Sequence, residues 1–156
     1  MKLSIVCVGK LRASPESEIF QNYILRFHKL SKQLNFKFNK LIEIDNKKFR
    51  DKSDQAKMIG AAIPRGAFKI LLDEKGENID SVSFANLIMR LRDEGQDHLV
   101  FSIGGADGVT KKVEDEADKI ISFGKMVWPH ALVRIMLIEQ LYRSASILTS
   151  KPYHRI

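Results

Sequence analysis

Apolar runs of strand length alternate with helical patterns along most of the 156 residues. LSIVCV (3–8), closed by Gly9, is a continuous apolar run of the kind that a strand buried on both faces requires. Ser14-Pro15-Glu16 then supplies a capping hydroxyl, a proline suited to the first helical position and an early acid, predicting a helix through FQNYILRFHKL. KFNKLIEID (37–45) alternates as a second strand, and KSDQAKMIGAAIP (52–64) reads as a helix ending before Pro64. AFKILLD (67–73) predicts a third strand closed by a turn at Lys75-Gly76. A helix follows from Asp80 or Ser81 through VSFANLIMRLRD to a stop at Gly95. HLVFSI (98–103) is a fourth strand, followed by a GGADG turn and a short charged helix, KKVEDEAD; KIISF (119–123) is a fifth strand. Strands alternating with helices predict an α/β fold with a mostly parallel sheet covered on both sides, and no linker or repeat divides the chain.

The last helix, from Pro129 to about Thr149, departs from the one-sided pattern of a surface helix. Leu132, Ile135 and Met136 share one flank, while Val133, Leu137, Leu141 and Leu148 occupy another. Such a helix either runs through a core or packs on its own sheet with one flank and on a second subunit with the other. In a five-strand domain the second arrangement, a homodimer, is the better fit.

Composition narrows the class. With 44% hydrophobic and 29% charged residues the chain is an ordinary globular one. No run is long enough for a membrane span, and the opening MKLSIVCVGKL is too soon polar for a secretory signal, so a cytoplasmic location is expected. The single cysteine, Cys7, lies inside an apolar strand and reads as a small buried hydrophobe; neither a disulfide nor a cysteine-rich metal site can be built. The net charge of +7 is unevenly spread: residues 1–64 hold 13 Lys/Arg against 6 Asp/Glu, whereas residues 65–156 hold 13 against 13. Clustered positive charge suits phosphate neutralisation, and equally a solvated basic surface.

Open parallel sheets bind ligands beyond the carboxyl ends of their strands. That rule directs attention to Leu72 onward, Gly104 onward and Phe123 onward. IGGADG (103–108) permits close approach of backbone to a ligand but is not the G-x-G-x-x-G dinucleotide fingerprint. FGKMVWPH (123–130) offers free backbone groups, an apolar Met126 and a large Trp128 ahead of a helix, a mixture suited to a flat heteroaromatic ligand. By spacing alone, Met126 and Trp128 read equally well as core anchors. Glu114, Asp115, Glu116 and Asp118 read as a solvated helix face rather than a metal site, and His28 and His98 lack ligand-spaced partners, so no metal is expected. His130 stands at the helix start, where a border of the site, a cap or a packing role fit equally.

FSIGGADG, KMVWPHALVRIMLIEQLYRSASI and the terminal PYHR together resemble the ribosomal large-subunit methyltransferase H family of the SPOUT superfamily, over the full length of the chain. The resemblance implies a single SPOUT domain over residues 1–156, with a five-to-six-stranded, mostly parallel sheet flanked by helices and a deep trefoil knot near the C-terminus. It implies a homodimer that uses S-adenosyl-L-methionine to methylate N3 of a pseudouridine in 23S rRNA, within the large subunit or the assembled ribosome. By position it assigns Leu72, Gly104, Phe123, Gly124, Lys125, Met126, Val127 and Trp128 to the cofactor. Tyr153, His154 and Arg155 are assigned to the target-base site: His154 to accept or relay the N3 proton, Arg155 to hold carbonyl or phosphate oxygens, Tyr153 to wall in the base. Many members carry threonine where this chain has Val127. Two further classes stand against this reading: a non-catalytic basic ribosome-binding protein, suggested by charge, and a nucleotide-binding oxidoreductase, suggested by the α/β pattern but opposed by the missing fingerprint.

Overall fold

The structure, a computed structural model, describes residues 1–153. Its elements run β1 (Lys2–Val8), α1 (Pro15–Ser31), β2 (Lys37–Ile44), α2 (Lys52–Ala62), β3 (Phe68–Asn78), α3 (Ser81–Asp93), β4 (His98–Ile103), α4 (Lys111–Asp115), β5 (Lys119–Ser122) and α5 (His130–Leu148). The strands form one sheet in the order β2-β1-β4-β3-β5, with every neighbouring pair parallel. The interior strand β1 is buried from Leu3 to Val8, which accounts for its unbroken apolar run. At one edge, β2 buries Phe38 but exposes Lys37 and Lys40, charges that discourage pairing with a further strand.

The two sheet faces carry cores of different size. On one, α1, α3 and α5 cover Leu3, Ile5, Cys7, Ile70, Leu99 and Phe101. On the other, α2 and α4 cover Val6, Val8, Leu71 and Val100. Leu137, Ile138 and Leu141 of α5 are fully buried in the larger core, each contributing roughly 1.5–3 kcal/mol of hydrophobic stabilisation. The opposite flank stays open: Leu132 is 39% exposed, and Ile135 and Met136 are only half-buried. Local chemistry places the helix starts. The Ser14 hydroxyl accepts from Ser17 N at 3.3 Å, and the Asp51 and Asp80 carboxylates accept from Asp54 N at 2.9 Å and Ser83 N at 2.7 Å.

Two elements differ from expectation. The bend at Asp73–Gly76 forms, with Lys75 N donating to Asp73 Oδ1 at 3.0 Å, but the strand resumes beyond it. Leu72 and Glu77 both pair with Ile121, so residues 73–76 bulge out of β3. Gly76 lies so close over β5 that a Cβ there would come within 2.6 Å of the Ile121 backbone carbonyl carbon. The charged helix is also shorter than KKVEDEAD, ending at Asp115. Asp118 stops it, because its amide donates to Lys69 O at 3.0 Å and its carboxylate accepts from Lys69 N at 2.7 Å, committing the chain to β5.

Candidate functional site

Adjacent parallel strands whose crossovers leave to opposite faces open a crevice at their carboxyl ends. Here β3 leads to α3 on one face and its neighbour β4 to α4 on the other. Beyond their ends lies a cleft of about 410 Å³. Its walls are the bulge of β3, the 104–109 loop, the segment after β5 and the first turn of α5. The volume falls within the range of small-molecule sites.

Each wall is held by local bonds. Gly108 N donates to Gly105 O at 2.8 Å and closes the loop after β4. At Gly104 a Cβ would lie 2.6 Å from Val109 Cγ1, so a larger residue would displace that valine, which itself lines the cleft. The Ser122 hydroxyl accepts from Gly124 N at 3.0 Å and donates to Gly124 O at 2.8 Å, bending the chain out of β5. Pro129 O then accepts from Leu132 N at 2.9 Å, starting α5. Behind that turn the buried Arg134 donates to Val8 O at 3.0 Å, Gly9 O at 2.8 Å and Glu43 Oε1 at 2.9 Å. This guanidinium ties α5 to the carboxyl ends of β1 and β2.

Seven of the eight residues assigned to the cofactor by resemblance share this cleft: Leu72, Gly104, Phe123, Gly124, Met126, Val127 and Trp128. Lys125 is exposed and does not line it. Met126 and Val127 are 69% and 81% exposed, so Met126 is no core anchor; its apolar surface, like that of Trp128, faces the cleft rather than the interior. Asp73, Glu74, Asp107 and Glu114 add carboxylates to the lining, against Lys52 and Lys75. Both lysines are engaged, Lys75 with Glu114 at 3.9 Å and Lys52 with the backbone oxygen of Asp107.

Sequence reasoning missed the bulge residues Asp73, Glu74 and Lys75, because a turn and a bulge share the same polar, glycine-containing signature. It also placed Glu114 on a solvated face; the side chain is half-buried in the cleft wall. His130 borders the cleft, and burial, followed by the charge of Arg134, holds its imidazole below the ordinary histidine value. It is therefore neutral near pH 7.

Tyr153 lies elsewhere, docked on α5 and α1. Its hydroxyl donates to Glu139 Oε1 at 3.1 Å and stands 3.4 Å from that of Tyr23, and its ring sits 4.5 Å from Tyr142 and under the Arg143 guanidinium. Burial and the neighbouring Tyr23 and Glu139 push the phenol well above its ordinary value. Beside this cluster a second hollow of about 460 Å³ runs between α3 and α5, and Ser122 and Phe123 line both cavities. His154 and Arg155 lie outside the described residues.

Comparison with known proteins adds an independent observation. A family model described as predicted SPOUT methyltransferase matches residues 1–154. Proteins named ribosomal RNA large subunit methyltransferase H are similar over their whole length. The one from a Ruegeria species is 45% identical over 156 residues and that from Ruegeria pomeroyi 43% over 156, each covering 100% of both chains. The one from Bradyrhizobium diazoefficiens is 42% identical over 159 residues, covering 99% of each.

Proposed function

The chain belongs to the SPOUT methyltransferase family, and from that membership we propose that it transfers a methyl group from S-adenosyl-L-methionine to N3 of a pseudouridine in 23S rRNA. The observation that carries the reading is the cleft, where seven residues assigned from family resemblance meet at the carboxyl ends of β3, β4 and β5.

The lining fits the cofactor. Leu72, Met126, Val127 and Trp128 offer apolar surface to a purine, and the backbone of the 104–108 and 122–128 loops offers donors and acceptors to its edge. Four carboxylates facing two engaged lysines suit a ligand that carries a sulfonium, an ammonium and ribose hydroxyls. Val127 supplies no hydroxyl, and Lys125 stays outside the cleft lining. When bound, S-adenosyl-L-methionine supplies an electrophilic methyl group that needs no metal.

The work left to the protein is alignment and proton removal. Holding the nitrogen and methyl in line supplies up to roughly 7–11 kcal/mol of the barrier reduction. His154 accepts the N3 proton, Arg155 steadies the carbonyl oxygens as negative charge develops, and Tyr153 walls in the base. Because Tyr153 is docked on α5 away from its own cleft, the reading has the tail of one protomer serve the cleft of its partner. The homodimer that this requires is supported by the open Leu132, Ile135 and Met136 flank of α5. The knot belongs to the same reading. No helix among the described residues is long and apolar enough to cross a membrane, and the proposed ribosomal substrate supports a cytoplasmic location.

Mass mapping of large-subunit rRNA from cells lacking the gene tests the proposal. One methyl should be missing from a pseudouridine and return with the purified protein. An unchanged map, or no binding of S-adenosylhomocysteine by calorimetry, refutes it. Deleting residues 153–156 should abolish transfer while leaving S-adenosylhomocysteine bound.

A further inference from the structure

The positive charge of residues 1–64 is not spread over the surface at random. The sheet order puts β2 and β1 beside β4, so the loops after β1 and β2 emerge on the same edge as the cleft. Those loops carry Lys10, Arg12, Lys47, Lys48 and Arg50, and α2 begins with a sixth cation, Lys52, all exposed. They are fastened in place: Leu11 N donates to Glu43 Oε1 at 2.5 Å, and Asp45 Oδ1 accepts from Lys47 N at 3.0 Å. The last of the six, Lys52, is itself part of the cleft wall.

The nearby acids are largely committed. Asp45 pairs with Lys10 at 2.9 Å, Glu43 with Arg134 at 2.9 Å, Asp54 with Lys57 at 3.2 Å, and Asp51 caps α2. Arg12, Lys47, Lys48 and Arg50 form no ion pair within 4 Å among the described residues. Asp45 and Asp54 still feel Lys47 and Arg50, and both are held below the ordinary carboxylate value, chiefly by backbone hydrogen bonding at Asp45 and by Lys57 at Asp54. At a strand spacing of about 4.8 Å, the path from β2 to β3 is roughly 14 Å along this edge. A nucleic-acid strand whose base enters the cleft must lay its flanking phosphates somewhere within that distance.

We infer that Arg12, Lys47, Lys48 and Arg50 form a phosphate-binding rim that holds the RNA backbone flanking the target base, an inference that rests on the proposed function. Phosphate contacts position a nucleic acid without reading its sequence, so the rim supplies affinity and register, while the cleft and tail supply selection. A second group of cations, Lys29, Lys32, Lys37 and Lys40, is equally exposed but runs from the last turn of α1 into the first half of β2, towards the opposite edge of the sheet. It provides a control of identical charge.

The test compares two quadruple variants, Arg12→Gln/Lys47→Gln/Lys48→Gln/Arg50→Gln and Lys29→Gln/Lys32→Gln/Lys37→Gln/Lys40→Gln. The probe is large ribosomal subunits purified from cells lacking the gene. The rim variant should bind them at least tenfold more weakly at 0.1 M salt. Its slope of log affinity against log salt should fall by about 3, because each phosphate that a cation neutralises accounts for roughly 0.7–0.9 of that slope. The control should change affinity less than about twofold, and both should bind S-adenosylhomocysteine as the parent does, which also verifies folding. Equal losses in the two variants would show that net charge alone matters and overturn the rim. A weaker-binding rim variant with an unchanged salt slope would also overturn it, because the lost contacts would then not be ionic. A parent that binds subunits with this salt pattern but not S-adenosylhomocysteine would refute the proposed function and leave the rim standing.

Discussion

Replacing Arg134 by methionine keeps an unbranched apolar stem, ends the side chain short of the guanidinium, and removes the charge that joins α5 to β1 and β2. The wild-type guanidinium makes three bonds of 2.8–3.0 Å to Val8 O, Gly9 O and Glu43, while its Nε is buried without a partner among the described residues. Charged hydrogen bonds contribute roughly 1.5–3 kcal/mol each, but desolvating the guanidinium offsets several kcal/mol of that sum. Breaking a buried pair from one side costs about 3–5 kcal/mol. The lower end applies here, because Glu43 keeps 25% of its side chain in water and retains Leu11 N as a donor. The expected loss is therefore about 3–4 kcal/mol, or a fall in Tm of about 6–16 °C for a chain of this length. Urea unfolding at fixed protein concentration should be measured for Arg134→Met, Glu43→Gln and the double variant, with a coupling of about 1–2 kcal/mol expected between the two sites. A loss below about 1 kcal/mol, or strictly additive effects, would show that the guanidinium bonds only balance their own desolvation.

Gly76→Ala should destabilise the chain by several kcal/mol, because its Cβ would meet three backbone atoms of Ile121 within 2.8 Å, whereas Gly60→Ala in α2 meets nothing within 4 Å and should be neutral or stabilising by about 0.5–1 kcal/mol; equal urea midpoints would refute the contrast. His98, bonded to Ser4 Oγ at 2.8 Å, is held below its ordinary value of 6.5 by burial and then by Lys2 and Lys40. The unfolded chain therefore binds this proton more tightly, so the contribution to stability is full above pH 6.5 and is lost as pH falls below it. Lys40→Gln should move the NMR titration midpoint of His98 upward, and an unmoved midpoint would remove the electrostatic cause. The Cys7 thiol, pushed up to about 12 by burial, should resist a disulfide reagent at pH 8 in the native protein and react fully in urea; rapid native reaction would mean that β1 opens.

Much of this architecture is written in local pattern. LSIVCV and HLVFSI are unbroken apolar runs because their strands are covered on both faces, and period alone identifies them. Ser14, Asp51 and Asp80 mark helix starts because a side-chain oxygen satisfies amides only a few residues away. Charge asymmetry is equally a property of the string. The bulge at 73–76 was not legible, since its cause is the pairing of both Leu72 and Glu77 with Ile121, some 45 residues on. Nor was the end of α4 at Asp115, which Asp118 decides by bonding to Lys69 across the sheet.

The site divides in the same way. WPH, the paired glycines and Leu72 were identifiable as candidates by their type and by family resemblance, but that Met126 faces a cleft and not the core depends on how the segment after β5 leaves the sheet. The acids Asp73, Glu74 and Glu114 enter the site only through contacts distant in sequence. Tyr153 is docked beside α5 because Glu139, Tyr23 and Tyr142 converge there from two helices. What the sequence determined by itself are the features that one or two turns of chain can satisfy: periodicity, caps and the balance of charge. Strand order, the bulge and the gathering of the cleft were decided by the tertiary structure, because they depend on hydrogen bonds and packing between residues that no local pattern brings together.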